Sequence, residues 1–147
     1  MAKVGPELMN EMLNPLLQNG ETYEAAAYAE LTPKFPIMMY FGALGALLGG
    51  APRPCFIGLT QSKINYVIFG GLKNDKIMGT GSINLNEITK VKISDKLFVK
   101  RAAIKVEKKK TVFSIRKKLK NIPDQERSLQ IIIDRLSALS ESLKKTA

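Results

Sequence analysis

From Pro54 onward, the sequence contains short runs that are either apolar throughout or alternate between apolar and polar residues. Turn residues separate these runs. The run CFIGLT at residues 55–60 is followed by Gln61-Ser62 and then by KINYVIFG at residues 63–70. Side chains of a β-strand alternate between its two faces, so runs this short with turns between them favour antiparallel strands joined by hairpins. This pattern constrains the fold most strongly, and it predicts a mainly β chain.

The same pattern predicts further strands. IMGTGSINL at residues 77–85 and TKVKIS at residues 89–94 are separated by the turn-like Asn86-Glu87, and TVFSIR at residues 111–116 follows the polar EKKK at residues 107–110. Polar and glycine-rich separators of this kind are typical of hairpin connections. We therefore expect several antiparallel strands in succession, with EKKK as a hairpin turn.

One region does not fit a single straight strand. Leu97 and Val99 have odd parity, whereas Ile104 and Val106 have even parity. Because side chains alternate along a strand, both pairs cannot face the core from one regular strand. We expect a β-bulge or a break near residues 100–103, which would bring both pairs to one face.

An amphipathic helix is predicted at the C-terminal end of the sequence, over residues 123–143. Asn121 is the expected N-cap, and Pro123 suits the first turn, where Asp124 and Glu126 complement the helix dipole. Apolar residues recur at the spacing of one helix face. They are Leu129, Ile132, Ile133, Leu136, Leu139 and Leu143.

The N-terminal part is less regular. Residues 6–18 are consistent with a short helix or a pair of turns limited by Pro15, and Asn19-Gly20 marks a turn. In residues 22–31, TYEAAAYAEL, the alanines favour a helix, while the preceding turn and the following Thr32-Pro33 also allow a strand. Local propensity leaves both alternatives open.

The most apolar segment, residues 37–51, lies between Pro36 and Pro52. As a helix it would reach only about 22 Å at about 1.5 Å per residue, short of the roughly 30 Å of a bilayer core. Two interpretations remain, namely a helix that packs inside the fold, or a surface for self-association or lipid contact. The candidate contact residues in the second case are Met38, Phe41, Leu44, Leu47 and Leu48.

The composition favours a binding function over catalysis. The 147 residues contain no His, and the single cysteine, Cys55, lies in an apolar run where a buried, inert thiol is expected. The aspartates are dispersed without metal-ligand spacing. We therefore predict an intracellular, cytoplasmic protein that is not an enzyme and uses no cofactor and no metal.

Positive charge is concentrated in the second part of the chain. Residues 1–52 hold two basic and five acidic residues, whereas residues 96–120 hold eleven Lys or Arg and one acidic residue, Glu107. Such a window would attract an anionic surface if its side chains shared one side of the fold. The candidate binding residues are Lys105, Lys108, Lys109, Lys110, Arg116, Lys117, Lys118 and Lys120.

The succession of elements resembles the bacterial pleckstrin-homology-like (PH-like, YokE-type) domain family. The residues that carry the resemblance are NGETYEAAAYAE, CFIGLTQSKINYV, SINLNEITKVKI, VFSI and the terminal helix. The resemblance implies a bent, antiparallel seven-stranded barrel, with residues 22–31 counted in its first strand, capped by the C-terminal helix. An N-terminal helix and an extra apolar helix between the first two strands would be added to it.

We expect one domain over residues 1–147. It would consist of an N-terminal helical extension at 1–18 and a PH-like domain at 19–143, which includes the apolar insertion at 37–51 and the helix at 123–143. Eukaryotic phosphoinositide-binding relatives place basic residues on the first two strands and the loop between them. Here that connection is apolar, with only Lys34 and Arg53 at its edges.

The resemblance implies a non-enzymatic binding module without an assigned ligand. The leading hypothesis is a protein partner or self-association, engaged through the basic residues or an open sheet edge. A module that binds anionic lipid peripherally at the membrane is the first alternative, and a non-specific nucleic-acid binder is the second. Nucleic acid is disfavoured because base stacking needs exposed aromatic rings, and Phe98 and Phe113 are expected in the core. A solvated lysine face without any ligand is the simplest alternative.

Overall fold

The computed structural model describes residues 5–33, 53–70, 76–107 and 109–146. Within these ranges, two helices flank seven strands, and two short 3₁₀ turns lie at Asn14–Leu16 and Leu85–Glu87. The helices are α1 (Pro6–Leu13) and α2 (Gln125–Thr146). The strands are β1 (Ala25–Pro33), β2 (Arg53–Leu59), β3 (Lys63–Gly70), β4 (Lys76–Asn84), β5 (Lys90–Asp95), β6 (Val99–Val106) and β7 (Lys109–Arg116).

All seven strands form one antiparallel sheet in the order β4-β3-β2-β1-β7-β6-β5. The predicted mainly β architecture with a helix at each end is confirmed. Among the described residues no ladder joins β4 to β5, so the sheet is open and does not close into a barrel. The expected closure fails at the gap between β4 and the β6–β7 hairpin, where a groove of about 360 Å³ separates the two halves of the sheet.

Helix α2 covers one face of the sheet, which we call the inner face. Its apolar stripe packs against β1, β5 and β7, and the predicted residues Leu129, Ile132, Ile133 and Leu136 are all buried there. Burying four such side chains stabilises the fold by several kcal/mol, at about 1.5–3 kcal/mol each. The helix begins at Gln125, and the N–H of Ser128 donates to the carbonyl of Asp124. Asn121 is not the N-cap, because Asp124 directly precedes the helix and Asn121 lies inside the turn closed by the Leu119–Ile122 bridge.

Helix α1 covers part of the opposite, outer face. It packs against β1, β2 and β3, where Leu8, Met9, Met12 and Leu13 join Phe56, Val67 and Phe69 in a second apolar cluster. Tyr23 fastens the helix, since its hydroxyl donates to the carbonyl of Leu13 at 2.6 Å and accepts from Asn65 Nδ2 at 3.2 Å. The outer face of the β1–β3 half is therefore an internal layer.

Three local expectations are decided by the structure. Residues 22–31, which local propensity left open, enter strand β1 from Ala25, and the alternation of buried Ala25, Ala27, Ala29 and Leu31 supports the strand. The expected bulge near residues 100–103 is absent, because β6 pairs with β7 without a register shift from Val99 to Val106. Leu97 causes no conflict since it lies outside the strand, in the β5–β6 turn.

The predicted apolar helix at residues 37–51, with its candidate contacts Met38, Phe41, Leu44, Leu47 and Leu48, lies outside the described residues. Lys108 also lies outside them. No helix in the described part of the chain has the length and apolar character needed to cross a bilayer.

Candidate functional site

The outer face of β5, β6 and β7 carries an array of cations. Core residues such as Val91, Ala102, Ile104, Phe113 and Ile115 point to the inner face, so the alternate positions of these strands point outward. Six of those outward positions are exposed basic residues. This basic outer face consists of Lys90, Lys92, Arg101, Lys105, Lys110 and Arg116.

Strand register brings these cations together. Lys105 of β6 lies directly opposite Lys90 of β5 on one side and Lys110 of β7 on the other. Directly opposed side chains have Cβ atoms about 4.5–5.5 Å apart, and like charges in such positions destabilise a sheet. Three lysines therefore stand in one row across three strands.

The floor beneath the cations is small or apolar. Ala103 and Ser114 are half-buried, and Val112 is buried although it points outward from β7. Long lysine and arginine side chains cover apolar surface with their methylene stems while their charged ends stay in water. The basic outer face therefore presents charged side-chain ends above a surface of small and apolar side chains.

Of the eight residues predicted as the basic site, three lie on this face, namely Lys105, Lys110 and Arg116. Lys109 is exposed, but its parity on β7 differs from that of Lys110. Lys117, Lys118 and Lys120 lie between β7 and α2. Lys117 is paired with Asp95 at 2.7 Å, and Lys118 lies 3.8 Å from Glu126.

Sequence reasoning missed half of the face, namely Lys90, Lys92 and Arg101. The alternation in TKVKIS already places Lys90 and Lys92 opposite Val91 and Ile93. The missing information was the register, which sets β5 beside β6 and pairs Lys90 with Lys105. The window at residues 96–120 contains β6 and β7 but not β5, so it excluded Lys90 and Lys92. Arg101 lies inside the window and was not selected.

The turn between β5 and β6 projects two large apolar side chains. Leu97 and Phe98 are 79% and 74% exposed, and we call this pair the hairpin tip. The N–H of Lys96 donates to the carbonyl of Val99 at 2.9 Å, so the hairpin tip occupies the two central positions of a tight turn. The placement of Phe98 in the core was wrong, because the tight turn holds its side chain out of the sheet. Phe113 is buried as predicted.

A shallow groove of about 390 Å³ joins the hairpin tip to the basic outer face. It is lined by Glu30, Phe98, Val99, Arg101, Ser114 and Arg116. Arg101 lies opposite Ser114, and Val99 lies opposite Arg116, so the two arginines are diagonal neighbours about 7–8 Å apart at the backbone. Among the described residues, neither arginine takes part in an ion pair within 4 Å.

The base of the hairpin is fixed to the chain that follows β7. The N–H of Lys117 donates to the carbonyl of Phe98 at 3.0 Å, and the Lys117 ammonium contacts Asp95 at 2.7 Å. The hydrogen bond from Lys117 lowers the pKa of Asp95, so this carboxylate is ionised and the contact persists at neutral pH. The tip is therefore positioned by bonds on both of its flanks.

Other groups in the described ranges are less suited to catalysis or to binding a charged ligand. Cys55 is fully buried in β2, and burial raises the pKa of its thiol, which keeps it protonated and unreactive. A groove of about 900 Å³ beside the β2–β3 turn and α2 carries cations and anions that neutralise one another. Lys63 pairs with Glu21 at 3.5 Å there. Within those ranges, no three His, Cys, Asp or Glu side chains are grouped as metal ligands.

No protein-family model and no curated protein sequence matches this chain. Two solved structures are similar in fold. The hSac2 domain from human phosphoinositide phosphatase Sac2 has a TM-score of 0.53 at 13% identity, covering 93% of this chain and 81% of that one. The C-terminal domain of an unknown protein from Leishmania infantum has a TM-score of 0.50 at 12% identity, covering 88% of this chain and 95% of that one. At such identities the likeness concerns the fold alone.

Proposed function

We propose that this chain is a non-enzymatic binding module of the PH-like kind, and that its basic outer face engages a partner with clustered negative charge. The row formed by Lys90, Lys105 and Lys110 carries the proposal. Like charges placed directly opposite one another reduce the stability of a sheet. A surface that keeps such a row is more readily explained by an anionic ligand than by solubility, which scattered lysines would also provide.

The PH-like assignment is supported by the order of the elements, with seven antiparallel strands followed by one helix that covers the inner face. The non-enzymatic assignment is supported by the chemistry of the described residues. The thiol of Cys55 is buried and held protonated, and the sequence contains no histidine to act as a general base near neutral pH.

Retention of the full-length chain on a heparin column, eluted with a salt gradient, tests the proposal. The double variant Lys92→Glu/Lys105→Glu reverses two charges on the basic outer face. The matched control Lys76→Glu/Arg127→Glu makes the same change in net charge at exposed positions on β4 and α2. Each lysine near an anionic surface contributes about 1 kcal/mol, so the face variant should bind at least about thirtyfold more weakly.

The control should elute close to the unsubstituted chain. Equal loss of retention in the two variants would show that net charge alone holds the protein on heparin, and would contradict a binding face on β5–β7. Circular dichroism of both variants checks that they are folded, since all four substituted side chains are exposed.

A further inference from the structure

We propose that the hairpin tip inserts into an anionic lipid bilayer, with the neighbouring cations of the basic outer face in contact with the headgroups. The proposal rests on the binding function above and names the partner as a membrane surface. It assigns a binding role to Leu97 and Phe98, which do not pack in the core. Both side chains are more than two-thirds exposed.

The residue types at the tip are unusual for their position. Gly, Pro, Asn, Asp and Ser dominate tight turns, although neither central residue of this turn has the positive φ that favours Gly, Asn or Asp. Here both central positions hold large apolar side chains. Single exposed apolar residues are common on protein surfaces, but an adjacent exposed pair at an apex is a feature of contact surfaces.

The tip is surrounded by cations on its own hairpin. Lys96 precedes it, and Arg101 of the basic outer face follows it on β6. Lys100 has the opposite parity and lies across from Asp95. Arg116 meets Phe98 across the shared groove. Glu30 also lines that groove and offsets part of the charge, while the carboxylate of Asp95 is already occupied by Lys117. Positive charge therefore borders the apolar pair on the side of the basic outer face.

An apolar tip bordered by cations matches the two layers of an anionic bilayer, which are its apolar acyl chains and its charged headgroups. Lasting attachment of a peripheral protein usually needs two signals, such as an apolar insertion and a basic patch that attracts anionic headgroups. The tip would supply the first signal and the cations the second. Since Lys117 already fixes the hairpin through Phe98 and Asp95, insertion requires little ordering of the loop.

Nucleic acid and acidic proteins fit the tip less well. Single-stranded nucleic acid is held by aromatic platforms on which successive bases stack. Phe98 offers one exposed ring, but its neighbour Leu97 offers none and would be left without a partner. An acidic protein would match the basic outer face, but it would leave two apolar side chains at an apex without a defined recess. The bilayer accounts for both features with one partner.

The first experiment uses the absence of tryptophan from the sequence. Phe98→Trp places the only indole of the full-length chain at the tip, and Ile77→Trp places it at another exposed apolar position, on β4. Vesicles contain phosphatidylcholine alone or with about 30 mol% phosphatidylserine, the anionic lipid type that attracts basic segments. Matched vesicles carry bromine on their acyl chains as a quencher.

Insertion predicts a blue shift of the emission of Phe98→Trp, and quenching by brominated chains, with the phosphatidylserine vesicles. The Ile77→Trp emission should not change. Binding of Phe98→Trp to vesicles without a blue shift or quenching would overturn insertion, as would equal quenching at both positions. Indole favours the membrane interface by itself, so the Ile77→Trp control is required.

A second experiment separates the two proposals. In co-sedimentation with phosphatidylserine vesicles, Leu97→Ser/Phe98→Ser should lower the affinity at least about thirtyfold, because burial of two apolar side chains is lost. Its retention on heparin should be unchanged. If the unsubstituted chain is retained by heparin but fails to bind the vesicles, the membrane inference is wrong and the binding proposal stands. Loss of retention and of vesicle binding by Lys92→Glu/Lys105→Glu would support both.

Discussion

Gln125 shows how one buried polar side chain can complete a sheet. Strand β1 pairs with β7 only from Glu30 to Pro33, and beyond that the two strands separate. Gln125 is fully buried in the gap. Its Nε2 donates to the carbonyls of Tyr28 and Arg116 at 2.8 and 3.0 Å, and its Oε1 accepts from the N–H of Tyr28 at 3.0 Å. The side chain therefore replaces the missing ladder bonds.

We predict that Gln125→Met destabilises the chain by about 3 kcal/mol, because buried backbone groups left without a partner cost about 1–3 kcal/mol each. Urea unfolding should show a lower midpoint with an unchanged slope. The control Gln130→Met replaces an exposed glutamine on the same helix, and we expect a change within about 0.5 kcal/mol there. Similar losses in both variants would contradict the bridging role.

At the residue scale, burial in regular strands was predictable and burial at their ends was not. The burial of Cys55 and Phe113 was predicted correctly, because the period of apolar residues continues through both positions. Phe98 was placed wrongly because hydrophobicity alone does not show where a strand ends. Gln125 was missed since a glutamine in the first turn of a helix is ordinary, and its partners lie on β1 and β7.

At the scale of an element, the turn of the β5–β6 hairpin contains residues that do not contribute to packing. This turn holds Leu97 and Phe98, neither of which has a positive φ, so the backbone does not require the Asn-Gly pair of a type I′ hairpin. Neither apolar side chain is buried against the sheet, so neither is expected to stabilise it. Their presence is more readily explained by binding than by folding.

We predict that Leu97→Asn/Phe98→Asn changes the stability by less than about 1 kcal/mol, because both side chains are exposed and little packing is lost. The same variant should lose binding to phosphatidylserine vesicles. Thermal unfolding followed by circular dichroism measures the first effect. A loss of more than about 1 kcal/mol of stability would show that the tip supports the fold, and would weaken its assignment to a contact role.

At the same scale, the strands and the C-terminal helix were largely predictable, since short apolar or alternating runs between turns mark strands and a 3.6-residue period marks the helix. Whether residues 22–31 form a helix or a strand was not predictable, because an alanine-rich sequence carries little information about which face is buried. The strand emerges only from pairing of β1 with β2 and β7. The supposed bulge in β6 arose from expecting Leu97 and Val99 in the core, whereas Leu97 lies in the turn and Val99 lies on the outer face opposite Arg116.

For the whole molecule, the two halves of the outer face differ. Helix α1 covers the β1–β3 half with an apolar cluster, whereas the β5–β7 half presents six exposed cations. The sequence window at residues 96–120 indicated a concentration of basic residues in this part of the chain. It could not predict which of them share a face, because the face depends on the register of β5, β6 and β7.

The binding account is tested most directly by nuclear magnetic resonance of the ¹⁵N-labelled full-length chain during titration with a heparin-derived hexasaccharide. We predict amide shift changes that cluster on β5, β6 and β7, around Lys92, Arg101 and Lys105, and that weaken as salt screens the charges. Residues of α1 should show little change. A cluster of shifts on α1 or along the groove beside α2, with β5–β7 unaffected, would contradict the account.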